Sequence, residues 1–297
     1  MMDINWKKIK IEDKEIINRY YAKTKYRTCE FTFANNLLWS PFYGIYYAIV
    51  NEMLVFMARE SVSSVTFPYG DGDIKKTMDL LMEYFKENGK EFKMHLVSPS
   101  QFEVIDNFYP GQFKIEYNRD DADYIYESEK LISLSGKKLH SKRNHINKFK
   151  ENHTDWQYES ITDENVQECI EMTYEWKKQN DSDIDGKNAE YQVTLEALRL
   201  KKELGLVGGL LRLEGKVIAF TLGEECCECT FIVHIEKAFS EIQGAYPLIN
   251  QQFIEHEAIN YQYINREEDT GSEGLRKAKL SYNPIFLVEK GTVTPIK

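Results

Sequence analysis

The chain has 297 residues, a length that suits two domains of about 150 residues each. Hydrophobic residues make up 42% and charged residues 29% of it, which excludes a largely disordered chain. The net charge of −10 argues against a protein that coats nucleic acid non-specifically, but it leaves room for a local basic pocket that binds one phosphorylated ligand.

Sequence features also indicate where the protein resides. No stretch approaches the ~20 consecutive apolar residues that cross a bilayer, and residues 1–10 lack the apolar core of a signal peptide. The five cysteines are odd in number and do not form the pattern of a secreted disulfide framework. We therefore expect a protein without a transmembrane segment, located in a reducing cytoplasm.

The first half reads as a small α/β domain. Ile11 precedes an acidic turn that suits the start of a helix, because acidic side chains complement the helix dipole there. Alternation and periodicity then predict a hairpin, a strand, a helix and another strand. Their predicted ranges are 46–50 with 53–58, then 65–67, 73–88 and 92–97.

A basic segment follows at residues 135–150, where eight side chains are Lys, Arg or His. We predict a helix that begins near Gly136 and places Leu139, Ile146 and Phe149 on one apolar arc. Lys142 falls inside that arc and Arg143 flanks it. Either the segment is a solvated linker helix with a snorkelling lysine, or Lys142 and Arg143 face a cleft and hold phosphate.

The second half repeats the order of the first. Ile11, Asp13 and Ile16 recur as Ile161, Asp163 and Val166. A helix, a hairpin, a strand, a helix and a strand succeed one another in both halves, which favours an internal repeat over a chance likeness. The ranges in the second half are 209–213 with 216–222, then 231–235, 246–260 and 261–265. This order is the one found in the GNAT acyltransferase fold.

Three cysteines in this half, Cys226, Cys227 and Cys229, invite a metal interpretation. A structural zinc site usually needs a second pair of ligands, and the other two cysteines are isolated in the sequence. We therefore expect buried cysteines and no metal. His234 and His256 are possible bases, but no spacing selects either of them.

The strand at 261–266 runs into a carboxylate-rich turn. Glu267 and Asp269 would lie at the carboxyl end of that strand, where α/β folds bind ligands, and either could take a proton from an attacking amine. A helix capped by Ser272 follows, and a strand at 285–289 comes next. Arg276 and Lys279 share one helix face and could hold phosphate or stabilise an acyl oxygen. The alternative is a charged surface turn followed by an exposed helix.

The segments 135–149 and 265–284 resemble soluble bacterial proteins that share the C-terminal domain of phosphatidylglycerol lysyltransferases. The resemblance implies a duplicated GNAT-like fold. More distantly, the chain resembles the Fem peptidyltransferases, which carry a basic helix and a late Gly-Leu-x-x-x-Lys run matched here by Gly274, Leu275 and Lys279. By that analogy, Lys279 would contact the donor or the acyl oxygen.

Two departures from these families matter. The lysyltransferases carry membrane spans, and this sequence has none. GNAT enzymes that use acyl-CoA hold its pyrophosphate in a Gly-rich turn at a helix N-terminus, whereas residues 240–247 contain the single glycine Gly244. The N–H groups at Gly244 and Ala245 could still bind an anion. In the first half, Asp71 and Asp73 at the equivalent place would repel phosphate, so we expect that copy to be structural or to form one cleft wall.

We therefore predict an α/β (α+β) fold of tandem duplicated GNAT-like domains with mixed central sheets. The predicted ranges are 1–134 for the first domain, 135–155 for the basic linker helix and 156–297 for the second domain. The predicted function is N-acyl or aminoacyl transfer from acyl-CoA or aminoacyl-tRNA to an amine or hydroxyl of a small molecule or lipid headgroup, without a metal. The alternative is a non-catalytic protein that binds a ligand or tRNA.

Overall fold

The computed structural model describes residues 4–22, 26–59, 63–179 and 185–297. The strands of the first half are β1 (Lys7–Lys8), β2 (Ile45–Val50), β3 (Met53–Ala58), β4 (Ser64–Val65), β5 (Tyr69–Gly70), β6 (Met94–Val97), β7 (Phe113–Tyr117) and β8 (Asp123–Glu127). Its helices are α1 (Lys14–Tyr21), α2 (Phe33–Tyr43), α3 (Ile74–Glu87), α4 (Pro99–Phe108) and α5 (Ser128–Ser133).

The second half begins with the basic helix α6 (His140–Asn152). Its strands are β9 (Gln157–Ser160), β10 (Val207–Leu213), β11 (Lys216–Cys227), β12 (Thr230–Ala238), β13 (Tyr263–Asn265), β14 (Phe286–Val288) and β15 (Gly291–Pro295). The remaining helices are α7 (Val166–Gln179), α8 (Asp185–Arg199), α9 (Lys201–Leu204), α10 (Ala245–Glu257) and α11 (Glu273–Leu280).

The strands form two mixed sheets of the same design. The first has the order β1-β2-β3-β4-β6-β15-β7, and the second has the order β9-β10-β11-β12-β13-β8-β14. In each sheet an antiparallel hairpin is followed by a third strand, a helix and a strand parallel to the third: β4 with β6, and β12 with β13. Both hairpins turn through two residues with positive φ, Asn51-Glu52 and Glu214-Gly215, the geometry that matches strand twist. The predicted duplication with mixed sheets is confirmed.

The two halves exchange one strand. Strand β8 of the first half inserts between β13 and β14, with Ile264 opposite Tyr126. Strand β15 of the second half inserts between β6 and β7, with Val293 opposite Ile115. The predicted ranges 1–134 and 156–297 therefore do not coincide with the sheets, and the division into domains at those limits stays a prediction. Periodicity identifies a strand but not its partner, which is why the sequence did not reveal the exchange.

Two hydrophobic cores cover the two faces of the second sheet. One is continuous with the first half and includes Phe220 and Leu198. The other lies under α6 and α10 and includes Phe149, Phe253 and Tyr126. The second sheet is thus buried on both sides, and the ends of its parallel strands β12 and β13 lie between the two cores.

The basic helix begins at His140 rather than near Gly136, because Gly136 has a φ of +92° and belongs to the preceding turn. The predicted apolar arc is confirmed, since Leu139, Ile146 and Phe149 are all buried. Among the residues described, every helix is too short or too polar to cross a membrane.

Candidate active site

The parallel strands β12 and β13 separate soon after they meet. They pair only through Thr230, Phe231 and Ile232, because β13 stops at Asn265. On its other side, β12 stays paired with β11 as far as Ala238. In the described part of the chain, no strand covers residues 233–238 on the β13 side. The carboxyl ends of parallel strands are where α/β folds bind ligands, so this split is the candidate site.

A β-bulge lies at the edge of the split. Leu222 pairs with Ile235 and Gly223 pairs with Val233, which leaves His234 as the extra residue without a cross-strand partner. A Cβ at Gly223 would lie 2.2 Å from the carbonyl oxygen of Ile232, so the bulge requires glycine there. Bulges re-aim backbone and side-chain groups next to active sites. Here the bulge can turn a peptide N–H toward an acyl oxygen in the split.

The His234 side chain is held between two carboxylates. Its Nδ1 lies 2.7 Å from Glu267 Oε1 and its Nε2 lies 3.0 Å from Glu224 Oε1. Burial disfavours the imidazolium, but the hydrogen bonds to both carboxylates outweigh it and raise the pKa of His234 to about 10. The histidine is therefore a cation at neutral pH, and it fixes Glu267 beside the split. The sequence offered His234 as a possible base but gave no reason to choose it.

A cationic group covers the other face of the split. Arg266, directly after β13, donates from Nη2 to Glu236 Oε1 of β12 at 2.9 Å, and the amide of Asn250 donates to the other oxygen of Glu236 at 2.8 Å. The buried Nη1 of Arg266 has no hydrogen-bond partner among the described residues. A buried guanidinium nitrogen without a partner is costly, so it marks a place where a ligand oxygen would fit.

Lys142 of α6 lies against the same tyrosine as Arg266, and the cleft alternative, in which it holds phosphate, stays a prediction. Its ammonium lies 4.1 Å from the centre of the Tyr282 ring, and Arg266 lies 4.6 Å from the same ring. Burial and the nearby Arg266 lower the pKa of Lys142. Two cations that repel each other across one tyrosine would both gain from a bound phosphate.

The other residues predicted to hold donor phosphate are placed differently. Arg143 donates to the carbonyls of Leu134 and Gly136 and so fastens the turn before α6. Gly244 and Ala245 are buried. A Cβ at Gly244 would lie 2.6 Å from the His145 carbonyl oxygen of α6, and the Ala245 N–H already donates to Ile242. The structure therefore corrects the expectation that the start of α10 is open to an anion.

Asp269 and Arg276 bind each other, and neither is directed at the split. Asp269 is fully buried and accepts two hydrogen bonds from Arg276, at 2.9 and 2.8 Å, and one from the Tyr124 hydroxyl at 2.5 Å. Burial opposes ionisation of Asp269, but these donors prevail and hold its pKa well below the usual range. Arg276 also binds Asp120 at 2.6 Å. The geometry gives this pair the role of anchoring α11 to the turn after β13.

Lys279 stands inside the same turn. Its ammonium donates to the carbonyls of Arg266 at 2.6 Å, Glu267 at 3.2 Å and Glu268. All three N–H groups are thereby used. Burial lowers the pKa of Lys279, with Glu268 and Glu267 opposing that effect. The contacts give Lys279 a positioning role, because it fixes the backbone that aims Arg266 and Glu267 into the split.

A buried ionic cluster that sequence reasoning missed lies behind this turn. Lys290 Nζ contacts Asp123 Oδ1 at 2.8 Å and Cys29 Sγ at 3.6 Å, with Glu268 Oε2 at 3.9 Å. Cys29, Asp123 and Glu268 are close enough to hold a metal ion together. The Lys290 ammonium neutralises that same set of acceptors. Burial raises the pKa of Glu268 to about 8. The cluster unites residues far apart in sequence, so no local signal predicts it.

Known proteins resemble this chain in sequence and in structure. Residues 21–291 match the family described as phosphatidylglycerol lysyltransferase, C-terminal. A crystal structure of a conserved protein of unknown function from Bacteroides thetaiotaomicron has a TM-score of 0.94 at 37% identity, with 99% of this chain and 100% of that chain covered. An uncharacterized protein of Mycoplasmoides gallisepticum is 26% identical over 189 residues, or 60% of this chain. The match spans only 58% of that relative's length.

More distant structures share the architecture. L-PGS from Bacillus licheniformis has a TM-score of 0.68 at 13% identity, covering 99% of this chain and 94% of that one. FemX has a TM-score of 0.60 at 10% identity, covering 98% and 96%. At these identities the likeness shows the fold alone. It agrees with the tandem GNAT-like architecture read from the two sheets.

Proposed function

The chain belongs to the phosphatidylglycerol lysyltransferase C-terminal family, and from that membership we propose that it transfers an aminoacyl group at the split between β12 and β13. The donor is aminoacyl-tRNA, and the acceptor is an amine or hydroxyl of a small molecule or lipid headgroup. The observation that carries this proposal is the bulged, uncovered edge of β12 facing the end of β13, with Arg266 and Lys142 beside it. This donor would place the reaction in the cytoplasm.

Aminoacyl-tRNA is favoured over acyl-CoA because of how α10 begins. The turn at Gly244 and Ala245 is buried under α6, so a pyrophosphate has no open helix N-terminus to bind. The available cations are instead Lys142 and Arg266 at the split, with the exposed lysines of the basic segment outside it. Exposed lysines of this segment are Lys137, Lys138 and Lys148. Such a track suits the backbone phosphates at the end of a tRNA.

The transfer step follows from the groups at the split. The nucleophile attacks the carbonyl carbon of the aminoacyl ester and forms a new C–N or C–O bond. Negative charge develops on the carbonyl oxygen, and we assign a peptide N–H at the His234 bulge to donate a hydrogen bond to it. The ester C–O bond then breaks, and the ribose hydroxyl leaves with a proton.

Glu267 is the proposed general base for this step. One of its oxygens is held by His234 at 2.7 Å, and no described residue donates to the other. Its carboxylate is therefore oriented and still able to accept a proton from the nucleophile. That proton can return to the leaving ribose oxygen, so acids and bases balance over one turnover. Asp269, Arg276 and Lys279 support this arrangement by fixing the turn.

The test separates binding from transfer. Aminoacyl-tRNA binding is measured by fluorescence anisotropy. Transfer is measured as the movement of labelled amino acid from tRNA to acceptor molecules in a cell extract. Lys142→Ala should weaken tRNA binding about tenfold. The matched control is Lys150→Ala, because Lys150 lies on the same helix and also stacks on an aromatic ring, that of Trp156. Its binding should be unchanged.

Each other outcome has a meaning. An equal loss of tRNA affinity in both variants would show that Lys142 contributes only non-specific positive charge, which would contradict a specific donor site. Binding of coenzyme A with the same dependence on Lys142 would replace tRNA with acyl-CoA as donor. Tight tRNA binding without transfer of any amino acid would favour the alternative function, a tRNA-binding protein without catalysis.

A further inference from the structure

Three cysteines lie at the turn that joins β11 to β12, at the opposite end of β12 from the split. Cys227 pairs with Thr230, so Glu228 and Cys229 are the two residues of the turn. The sequence led us to expect buried cysteines here. Cys226, Cys227 and Cys229 are only partly buried, so that expectation is wrong for them. Small reagents in solution can therefore reach this turn.

The thiols of Cys227 and Cys229 face each other across the turn. Their Sγ atoms lie 3.8 Å apart. A disulfide needs a separation of about 2 Å, so the two sulfurs have to approach each other by less than about 2 Å. The Sγ of Cys226 is directed elsewhere, because it lies 3.5 Å from the Tyr26 carbonyl oxygen and 3.8 Å from that of Thr28. The geometry therefore favours a pair of Cys227 with Cys229.

Cys227 is the more reactive member of this pair. Hydrogen bonds from the Cys226 thiol, the Cys229 backbone and the Thr230 hydroxyl stabilise its thiolate. Together they outweigh the effect of burial and lower the pKa of Cys227 to about 5. The thiolate is the nucleophilic form of cysteine, so Cys227 is ready to react at neutral pH.

The other two cysteines of the chain are protected. Cys29 and Cys169 are buried. Burial raises the pKa of Cys169 to about 12 and raises the pKa of Cys29 well above its ordinary value. Buried thiols that stay protonated are inert. Cys29 and Cys169 therefore serve as internal references for the reactivity of Cys227.

We propose that Cys227 and Cys229 form a redox site, which hydrogen peroxide converts into a disulfide. This site goes beyond the proposed transfer, and its test requires neither tRNA nor an acceptor. Disulfides in a reducing cytoplasm are usually transient, and they act in catalysis or in redox sensing. A disulfide at a partly exposed turn is of the labile kind that a dithiol reduces again.

The oxidation takes two steps. The Cys227 thiolate attacks one oxygen of hydrogen peroxide, an S–O bond forms and the O–O bond breaks, and the departing hydroxide takes up a proton and leaves as water. The Cys229 thiol then attacks the sulfur of the sulfenic acid, an S–S bond forms and the S–O bond breaks. The second water leaves with the proton of Cys229. The two thiols lose two electrons, which reduce one peroxide to two waters.

The test uses the full chain, reduced first and then freed of reductant. The chain is treated with hydrogen peroxide, its remaining thiols are alkylated in denaturant, and its peptides are identified by mass spectrometry. We expect Cys227 and Cys229 to be linked within one chain, with the loss of two hydrogens, while Cys29 and Cys169 are alkylated. Dithiothreitol should restore both thiols of the pair.

Substitutions assign the order of the two steps. In Cys229→Ser the sulfenic acid on Cys227 has no partner thiol, so dimedone should trap it. In Cys227→Ser the remaining Cys229 should react with peroxide at least about tenfold more slowly than Cys227 does in the wild type. Cys226→Ser is the matched control, because it changes the neighbouring thiol outside the pair, and the link between Cys227 and Cys229 should still form.

Alkylation of the folded chain is an independent measure of reactivity. With iodoacetamide at pH 7 and without peroxide, Cys227 should react at least about a hundredfold faster than Cys169. Equal rates for the two thiols would contradict an activated Cys227.

Three results of the peroxide treatment would overturn the proposal. These are Cys227 and Cys229 left unlinked, a link between Cys227 and Cys226, and oxidation of Cys29 or Cys169 before the pair. A disulfide between two chains, seen as a dimer on a non-reducing gel, would overturn it as well. None of these results depends on tRNA binding or transfer, so the proposed function is tested separately.

Discussion

The Nδ1 atom of His234 lies 2.7 Å from Oε1 of Glu267, and this hydrogen bond joins the bulge of β12 to the turn after β13. The two strands have already separated at this point. A side-chain bridge therefore replaces backbone pairing where the split opens. The same imidazole contacts Glu224 on β11, so one buried cation ties three neighbouring segments together.

His234 should make stability depend on pH. The folded state raises its pKa to about 10, above its ordinary value, so its contribution is fully present below about pH 6.5 and is lost as the pH rises through about 10. Urea unfolding of the wild type and His234→Gln should therefore differ more at pH 6 than at pH 10.5. His140→Gln, on the exposed side of α6, is the control for loss of an imidazole away from the split. Equal differences at both pH values would show that His234 is not held as a cation.

The chain should fold more readily when the carboxyl group of Glu268 is neutral. Burial raises its pKa to about 8, so the wild type loses stability as the pH rises from about 4.5 to about 8. Glu268→Gln stays neutral throughout, and Lys290 keeps its contacts with Asp123 and Glu30. The variant should gain stability relative to the wild type between pH 5 and pH 9 in thermal unfolding. Glu116→Gln, at an exposed site, serves as control, and a parallel response of both variants would argue against the buried carboxyl.

Much of the fold could be predicted because it is encoded locally. Turn residues, apolar alternation and helix periodicity give the hairpin, strand, helix and strand that recur in both halves, whereas helices such as α2 and α8 were not predicted. The exchange of β8 and β15 could not be predicted, since any strand with an alternating pattern fits either sheet. The choice depends on where the chain crosses between the halves, which is a property of the assembled cores.

The site was predictable only where position along an element decides the outcome. Glu267 follows a strand, and Lys142 lies on the apolar arc of α6, so position along an element made both of them candidates, and their roles stay predictions. Arg143 and Arg276 have long side chains, and the partners of such side chains are set by tertiary contacts that no local pattern contains. The His234 bulge and the Lys290 cluster likewise depend on residues from distant segments.

Lys279 should be needed both for the stability of the fold and for the orientation of Glu267. Lys279→Met keeps the length of the side chain but leaves three carbonyls without their buried donor, which should cost about 3 kcal/mol in the free energy of unfolding. If Lys279 positions Glu267, the pH profile of the remaining transfer should also shift. Lys277→Met is the control, because Lys277 lies two residues before Lys279 on the exposed side of α11. Loss of stability with an unshifted pH profile would limit Lys279 to a structural role.

Loss of charge at Glu267 should reduce transfer, whereas loss of charge at Asp269 should reduce stability. Glu267→Gln keeps an acceptor for His234 but removes the basic carboxylate, so transfer should fall at least about a hundredfold while tRNA binding and thermal stability change little.

Asp269→Asn removes a buried charge from Arg276 and Tyr124, so its melting temperature should fall. Because the folded state lowers the pKa of Asp269, its contribution is present above about pH 4 and is lost in acid. The stability difference between Asp269→Asn and the wild type should therefore shrink as the pH falls below 4. Transfer that survives in Glu267→Gln but disappears in a fully folded Asp269→Asn would reverse the two roles, and the base would then lie in the Arg276 cluster rather than at the split.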